Sequence, residues 1–246
     1  MYGRESDWCR RYVYAEYGED PSGTAVFRDS FNRRFHVVEE THLIPGFPIL
    51  IGQDFGRDPW SLIAQVDHLG RLVVHEEVAA EDTGLELHVQ KSLKPKLLSE
   101  KYLGFRIAAV CDPSGKAKST ITEESNIEAM KRMGIPTFPA STNDLDPRIR
   151  AVEAMLLRQV NGGPQLMING PNCPNLVLGM SGAYRFSKTK QGVRKPVPDK
   201  GPYSHVADCL QCLALTAHGG MVDYIASRLS PRKTHKRPAP SAKGWS

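Results

Sequence analysis

The sequence predicts an α/β fold built on one mixed sheet, antiparallel in its first three strands and parallel after that, with flanking helices. Three observations predict it. Apolar runs at 47–55, 60–67 and 72–78 follow one another across links of only a few residues, too short for anything but antiparallel neighbours. Beyond them, helix-like and strand-like stretches alternate, as crossover connections to further strands require. And 246 residues with 40% hydrophobic and 24% charged side chains are ordinary globular composition, enough to bury a sizeable core.

Each element has its own signal. Residues 1–45 mix aromatic, charged and turn-forming side chains and read as an amino-terminal lead-in or linker. The folded domain is expected over 46–229. It starts with the strand FPILIGQDF, continues with WSLIAQVD, and turns through HLGR into LVVHEEV. A helical stretch over about 83–93 is expected to be interrupted at Pro95, which has no amide to continue the ladder. FRIAAVCD, 105–112, is a fourth strand. A helix over 123–133 stops at Gly134, and 135–140 reads as a fifth strand. Asp146-Pro147 opens a helix running to about 160, since aspartate caps and proline suits a first turn. A short strand at 165–168, a short helix at 174–180 and a long apolar helix at 203–217 complete the pattern. Three antiparallel strands, then helix, strand, helix, strand and a late helix, is the element order of a ribonuclease H-like sheet.

Charge is local. The formal net charge is +5, yet six of the basic residues (Arg228, Arg232, Lys233, Lys236, Arg237, Lys243) follow the last acid, Asp223; without them the body is about neutral. Residues 230–246, rich in Pro, Ser, Ala and Lys, are expected to form a disordered basic tail. A second basic stretch is YRFSKTKQGVRKPVPDKG, 184–201. No apolar segment approaches the roughly 18 residues of a membrane span, and the first residues have no apolar core of a secretory signal. Five cysteines at irregular spacing give no disulfide framework, so free thiols in a reducing compartment are expected.

The chemistry-bearing residues are acids where acids are unexpected. ILIGQDFGRDP is an apolar strand ending on Asp54, and FRIAAVCD ends on Asp112. If the fourth strand lies parallel beside the first, the two carboxylates leave the sheet about 4.8 Å apart, at the carboxyl ends where open α/β sheets bind ligands. Carboxylates that close repel unless a cation or a shared proton lies between them. Hard divalent ions such as Mg²⁺ and Mn²⁺ take such oxygen ligands. Asp208 lies in HVADCLQCLALTA, apolar on nearly all faces and so buried, where a lone charge is costly unless it is paired or binds metal; His205 is three residues earlier, on about the same side. Each acid has a plainer reading. Asp54 and Asp112 stand where turns favour aspartate, and Asp208 could be paired with a buried arginine. Asp58 is near enough to assist but reads more simply as a turn acid before Pro59. Glu76 and Glu77 share the sheet edge about two strands away, an accessory position at most.

Two other patterns are weaker. Cys209-x-x-Cys212 has no second pair near it, so buried thiols are expected rather than zinc. Gly115-Lys116 lacks the earlier glycine of a phosphate loop, position 110 being valine.

In order and spacing, FRDSFNRRFHVV, IGQDFGRDP, CDPSG, NDLDPRIRAV, the stretch 163–184 with its Cys-Pro and SGAY, and PYSHVADCLQCL resemble the carboxy-terminal nuclease domain of the large terminase subunit of tailed bacteriophages. The resemblance covers about residues 25–220. It implies a ribonuclease H-like, Mg²⁺- or Mn²⁺-dependent endonuclease using two ions, which cuts concatemeric viral DNA before and after capsid filling. By the same resemblance the metal-binding, catalytic acids fall on Asp54, Asp112 and Asp208. His205 and Lys200 fall near the active site, and the basic stretch with Arg185, Lys188, Lys190, Arg194 and Lys195 lines up with a hairpin that lies along the duplex. The implied partners are double-stranded DNA, a terminase ATPase domain, the small terminase subunit and the portal protein, in the host cytoplasm. The chain departs from the family pattern in having Gly182-Ala183 for two glycines, and Cys209 and Cys212 for an alanine and an aromatic. The ATPase motor that precedes the domain in that family has no counterpart here, which implies a fragment or a split gene. Two rival functions stand beside this one: another ribonuclease H-like nuclease of resolvase or transposase type, and a non-catalytic DNA- or portal-docking module.

Overall fold

Strand and helix positions follow from where the apolar side chains repeat. In the computed structural model, which describes residues 23–117 and 124–229, the chain begins with β1 (Gly23–Ala25). Helix α1 (Arg33–His36) follows, its first turn capped by Asn32, whose side chain accepts from the Arg34 amide at 3.0 Å. The short β2 (Val37–Val38) precedes the expected meander of β3 (Ile49–Asp54), β4 (Trp60–Val66) and β5 (Leu72–Ala79).

Helix α2 (Leu85–His88) does not break at Pro95. It widens into one π turn over Val89–Leu93 and continues as α3 (Lys94–Leu97), with the proline just after the widened turn. Next come β6 (Ile107–Cys111) and α4 (Asn126–Arg132), the latter opened by a capping box between Ser125 and Glu128. They are followed by β7 (Thr137–Pro139) and α5 (Leu145–Leu157). A small ribbon of β8 (Gln159–Val160) and β9 (Gly163–Pro164) leads to β10 (Leu166–Asn169) and α6 (Pro174–Leu178). The described chain ends with β11 (Arg185–Ser187), α7 (Pro202–His218) and α8 (Met221–Leu229).

Among the described residues, seven strands form the main sheet in the order β2-β10-β5-β4-β3-β6-β7. The β3-β4-β5 meander is antiparallel, and β6, β7, β10 and β2 add to it in parallel. This is the mixed sheet the sequence predicts. Helices cover both faces, which explains why its strands read as nearly continuous apolar runs. Ile49, Ile51, Ile63 and Ala109 face Val89, Leu93, Leu97 and Met130. On the opposite face Leu50, Leu62, Ala64, Val74 and Val110 lie against Val152, Met155, Leu210 and Leu213.

The described part of the amino-terminal segment, from residue 23, is built into the fold and is not only a linker. β1 pairs antiparallel with β11, β2 forms the sheet edge beside β10, and Val26, Phe27 and Phe31 are buried in the main core. Two phenylalanines at 27 and 31 have apolar area to bury: Phe27 lies 6.2 Å from the Tyr184 ring and Phe31 stacks on His36 at 5.6 Å. Helix α8, absent from the expected pattern, buries Ile225 and sets Tyr224 edge-on to Phe138 at 6.2 Å. No described helix is long and apolar enough to cross a membrane. The tail 230–246 lies outside the described residues, as does part of the Gly115-Lys116 segment, from 118 to 123.

Candidate active site

Register brings the first two acids together. Gln53 of β3 lies opposite Cys111 of β6 in the parallel pair, so Asp54 and Asp112, each the next residue, leave the sheet side by side. Asp112 also does what a turn aspartate does: its Oδ1 accepts the Ser114 amide at 2.6 Å and caps a short helical turn over Pro113–Lys116. The two readings of that residue are compatible.

Asp208 arrives on α7, and Gly52 lets it. A Cβ at position 52 would lie 2.4 Å from the Cys209 carbonyl oxygen and 2.8 Å from Leu213 Cγ. Any residue other than glycine would push the helix off the strand. The glycine two residues before Asp54 therefore serves the close packing of helix on strand, and that packing sets Asp208 near enough to Asp54 for its charge to act there.

Three basic side chains thread the acids. His205 Nδ1 is 2.7 Å from Asp54 Oδ2. Arg148, from α5, donates through Nη2 to Asp208 Oδ1 at 2.5 Å and through Nη1 to Asp112 Oδ2 at 3.5 Å and Asn143 Oδ1 at 3.2 Å. Lys200 Nζ lies 3.4 Å from Asp208 Oδ2. Burial holds the Asp54 carboxyl above its ordinary range; the His205 hydrogen bond opposes this and the Asp208 charge adds to it. His205 is raised in turn, chiefly by its hydrogen bond to Asp54. Burial works against the charge on Arg148, but Asp208 and Asp112 outweigh it, so the guanidinium is held more firmly protonated than usual.

Asp54, Asp112, Asp208, His205 and Lys200 thus meet in one place. Asp58 does not join them. Its Oδ1 accepts the Asp82 amide at 2.6 Å, so it ties one loop to another as a turn acid does. Glu76 is taken by Lys96, Lys101 and Tyr102, and Glu77 caps α6 by accepting the Asn175 and Leu176 amides. Cys209 and Cys212 are buried free thiols.

The basic stretch forms a hairpin. Lys188 bridges to Arg194, and the Thr189 amide donates to Val193 at 2.7 Å and the Lys195 amide to Ser187 at 2.8 Å. Arg194 lies 3.6 Å over the Phe186 ring, and Lys195 pairs with Asp199 at 3.1 Å. Lys188 and Lys190 are exposed, while Arg185 is half-buried in β11 at the hairpin's root.

Arg148 is the site residue that sequence reasoning missed. The need for it was legible, because a buried Asp208 calls for a cation; which of 32 basic residues supplies it was not. Among the described residues no group of three or more His, Cys, Asp or Glu side chains is arranged to hold a metal ion together as it stands. The kind of donor does fit one: three carboxylates, with no thiolate among them, are the ligands of hard divalent ions. Each carboxylate offers about four lone-pair directions, so the bonds to Arg148, Lys200 and His205 leave acceptor capacity on all three.

No protein-family model and no curated protein matches the chain. Solved structures do. A large terminase from a thermophilic bacteriophage superposes with a TM-score of 0.59 at 17% identity, covering 88% of this chain and 52% of that one. The large terminase nuclease from thermophilic phage G20c, with bound magnesium, gives 0.51 at 18% identity over 79% of this chain and 97% of its own. The nuclease domain of g2p, the large terminase from bacteriophage SPP1, with bound Mn, gives 0.50 at 15% identity over 75% and 96%. The chain therefore spans about half the length of the first of these proteins and nearly the whole of the two nuclease domains. At such identities the likeness speaks to fold, and the fold of this chain is the ribonuclease H-like fold of large-terminase nuclease domains.

Proposed function

We infer that the chain is the nuclease part of a bacteriophage DNA-packaging terminase, a Mg²⁺- or Mn²⁺-dependent endonuclease that cuts concatemeric DNA. One observation carries the reading: carboxylates from β3, from the turn after β6 and from α7 converge at the carboxyl ends of two parallel strands, among cationic side chains. The fold is that of nuclease domains crystallised with magnesium, cobalt and manganese, which supports the choice of ion class.

Asp54, Asp112 and Asp208 would hold two such ions. When bound, the ions would supply an activated water and stabilise the leaving oxygen of the phosphodiester. The chain's own residues do the rest. His205 fixes the orientation of Asp54 by holding Oδ2, which leaves Oδ1 for an ion. Lys200, 83% exposed at its side chain, can swing from Asp208 to a phosphate oxygen. Lys188 and Lys190 on the hairpin, with Arg185 at its root and Arg194 and Lys195 beside them, would track the phosphate backbone and give binding with little sequence preference and strong salt dependence. In the whole motor, an ATPase domain, the small terminase subunit and the portal would act in the host cytoplasm to present the DNA and choose the place of the cut.

Substituting Asp54→Asn or Asp208→Asn should abolish Mn²⁺-dependent nicking of supercoiled plasmid while circular dichroism stays unchanged; variants that cut as well as the parent overturn the assignment. A second reading has its own observation. The ion pairs of Asp208 to Arg148 and Lys200 also suit acids that are purely structural, in a docking module for DNA or the portal. That reading requires calorimetry to find no Mn²⁺ binding and no cleavage at any Mn²⁺ concentration. A strong preference for four-way junctions would point to a resolvase instead.

A further inference from the structure

Arg148 has no step in the reading above, yet it is the most deeply held charge at the site. Its side chain is 7% exposed. An arginine so buried is retained only when acids surround it. It does not grip one carboxylate with both arms of its fork. It spends one arm on Asp208 and the other on Asp112 and Asn143, and its buried Nε has no partner. The oxygens it holds belong to two of the three acids assigned to the ions. A guanidinium and a divalent cation seek the same lone pairs, and like charges that close repel strongly where water is excluded.

We propose that Arg148 is a positioning residue that acts as a resident cation: it keeps Asp112 and Asp208 in register and sets the affinity for divalent ions by competing with them for both carboxylates. The proposal rests on the metal-dependent reading and names what regulates that site. The grip is uneven, 2.5 Å to Asp208 against 3.5 Å to Asp112. Asp112 is therefore the acid released first, and Asn143, exposed ahead of α5, keeps Nη1 supplied with an acceptor after release.

The test is calorimetric titration of Mn²⁺ into the full chain and into its Arg148→Gln variant, with thermal unfolding of each, with and without Mn²⁺. The variant should bind Mn²⁺ at least tenfold more tightly, melt lower than the parent without Mn²⁺, and gain more on adding it. A folded variant that binds equally or more weakly overturns the proposal, because it makes Arg148 a simple scaffold. If the glutamine variant does not fold, the parent itself decides: the Arg148 Nε–H resonance should shift in step with Mg²⁺ binding, and a resonance that stays put while the ion binds sinks the idea. A parent that binds no Mn²⁺ overturns both this proposal and the function it rests on. Binding by the parent with no gain in the variant overturns this one alone.

Discussion

Gly52 lies under α7 at the closest approach of helix and strand, where even a methyl group would overlap the Cys209 carbonyl oxygen and the Leu213 side chain. Gly52→Ala should therefore cost about 1–3 kcal/mol, the usual range for overpacking a filled core, measured as a lower denaturant midpoint at unchanged slope. It should also weaken Mn²⁺ binding, because the helix that moves away carries Asp208. An alanine variant as stable as the parent would mean that strand and helix have slack between them. The sequence shows why this residue escapes notice: a glycine inside an apolar strand reads as a weak spot or a bulge, and only the helix above it reveals the close approach. Arg148 is the same lesson at the site itself. Its partner Asp208 could be singled out as a charge in an apolar helix, but the pairing spans 60 positions and no local pattern records it.

At the scale of elements, the basic hairpin is not self-supporting. Its first strand, β11, is paired with β1 from the amino-terminal segment, and the Val26 amide donates to the Tyr184 carbonyl at 3.0 Å just before the hairpin starts. Arg194 on Phe186 and Lys195 on Asp199 stiffen it from within, and Lys188 and Lys190 are exposed to meet phosphates. Replacing both with alanine should weaken binding to duplex DNA at low salt and make the slope of log affinity against log salt shallower by about 2, close to 0.9 for each phosphate no longer neutralised. Filter binding or anisotropy over a salt series reads this directly; an unchanged slope would place the DNA elsewhere. The hairpin's composition was legible as a charge cluster. Its anchoring strand was not, because three residues, GTA, carry no strand signal of their own. The meander and the parallel strands were legible for the opposite reason: each is a run of apolar side chains long enough to state its burial.

For the molecule as a whole, acid should be the weak side. His75 and His88 are fully buried, and burial lowers both to about 4, with the Lys101 charge helping at His75. The unfolded chain, with histidines near their ordinary 6.5, binds more protons between pH 6.5 and 4, so the stability these groups confer is present above that window and is lost as pH falls through it. The loss is of order 3 kcal/mol for each histidine. Asp54, held above its ordinary value by burial, acts in the opposite sense, so the comparison that isolates the effect is between parent and His88→Gln. The variant should lose less stability from about pH 7 to about pH 5 than the parent does, followed by urea unfolding; parallel curves would show that His88 already protonates in the folded state.

By itself the sequence determined most of the sheet: six of its seven strands, their antiparallel-then-parallel order and the two acids at neighbouring strand ends. Those features are local, written in the period of apolar side chains and in the length of the links. Only the tertiary structure decided which cation answers Asp208, how closely α7 lies on β3, that Asp58 serves a loop, and that residues 23–38 belong to the core. These depend on the meeting of distant parts of the chain, where backbone clearance and charge pairing are settled in three dimensions and leave no periodic trace along it.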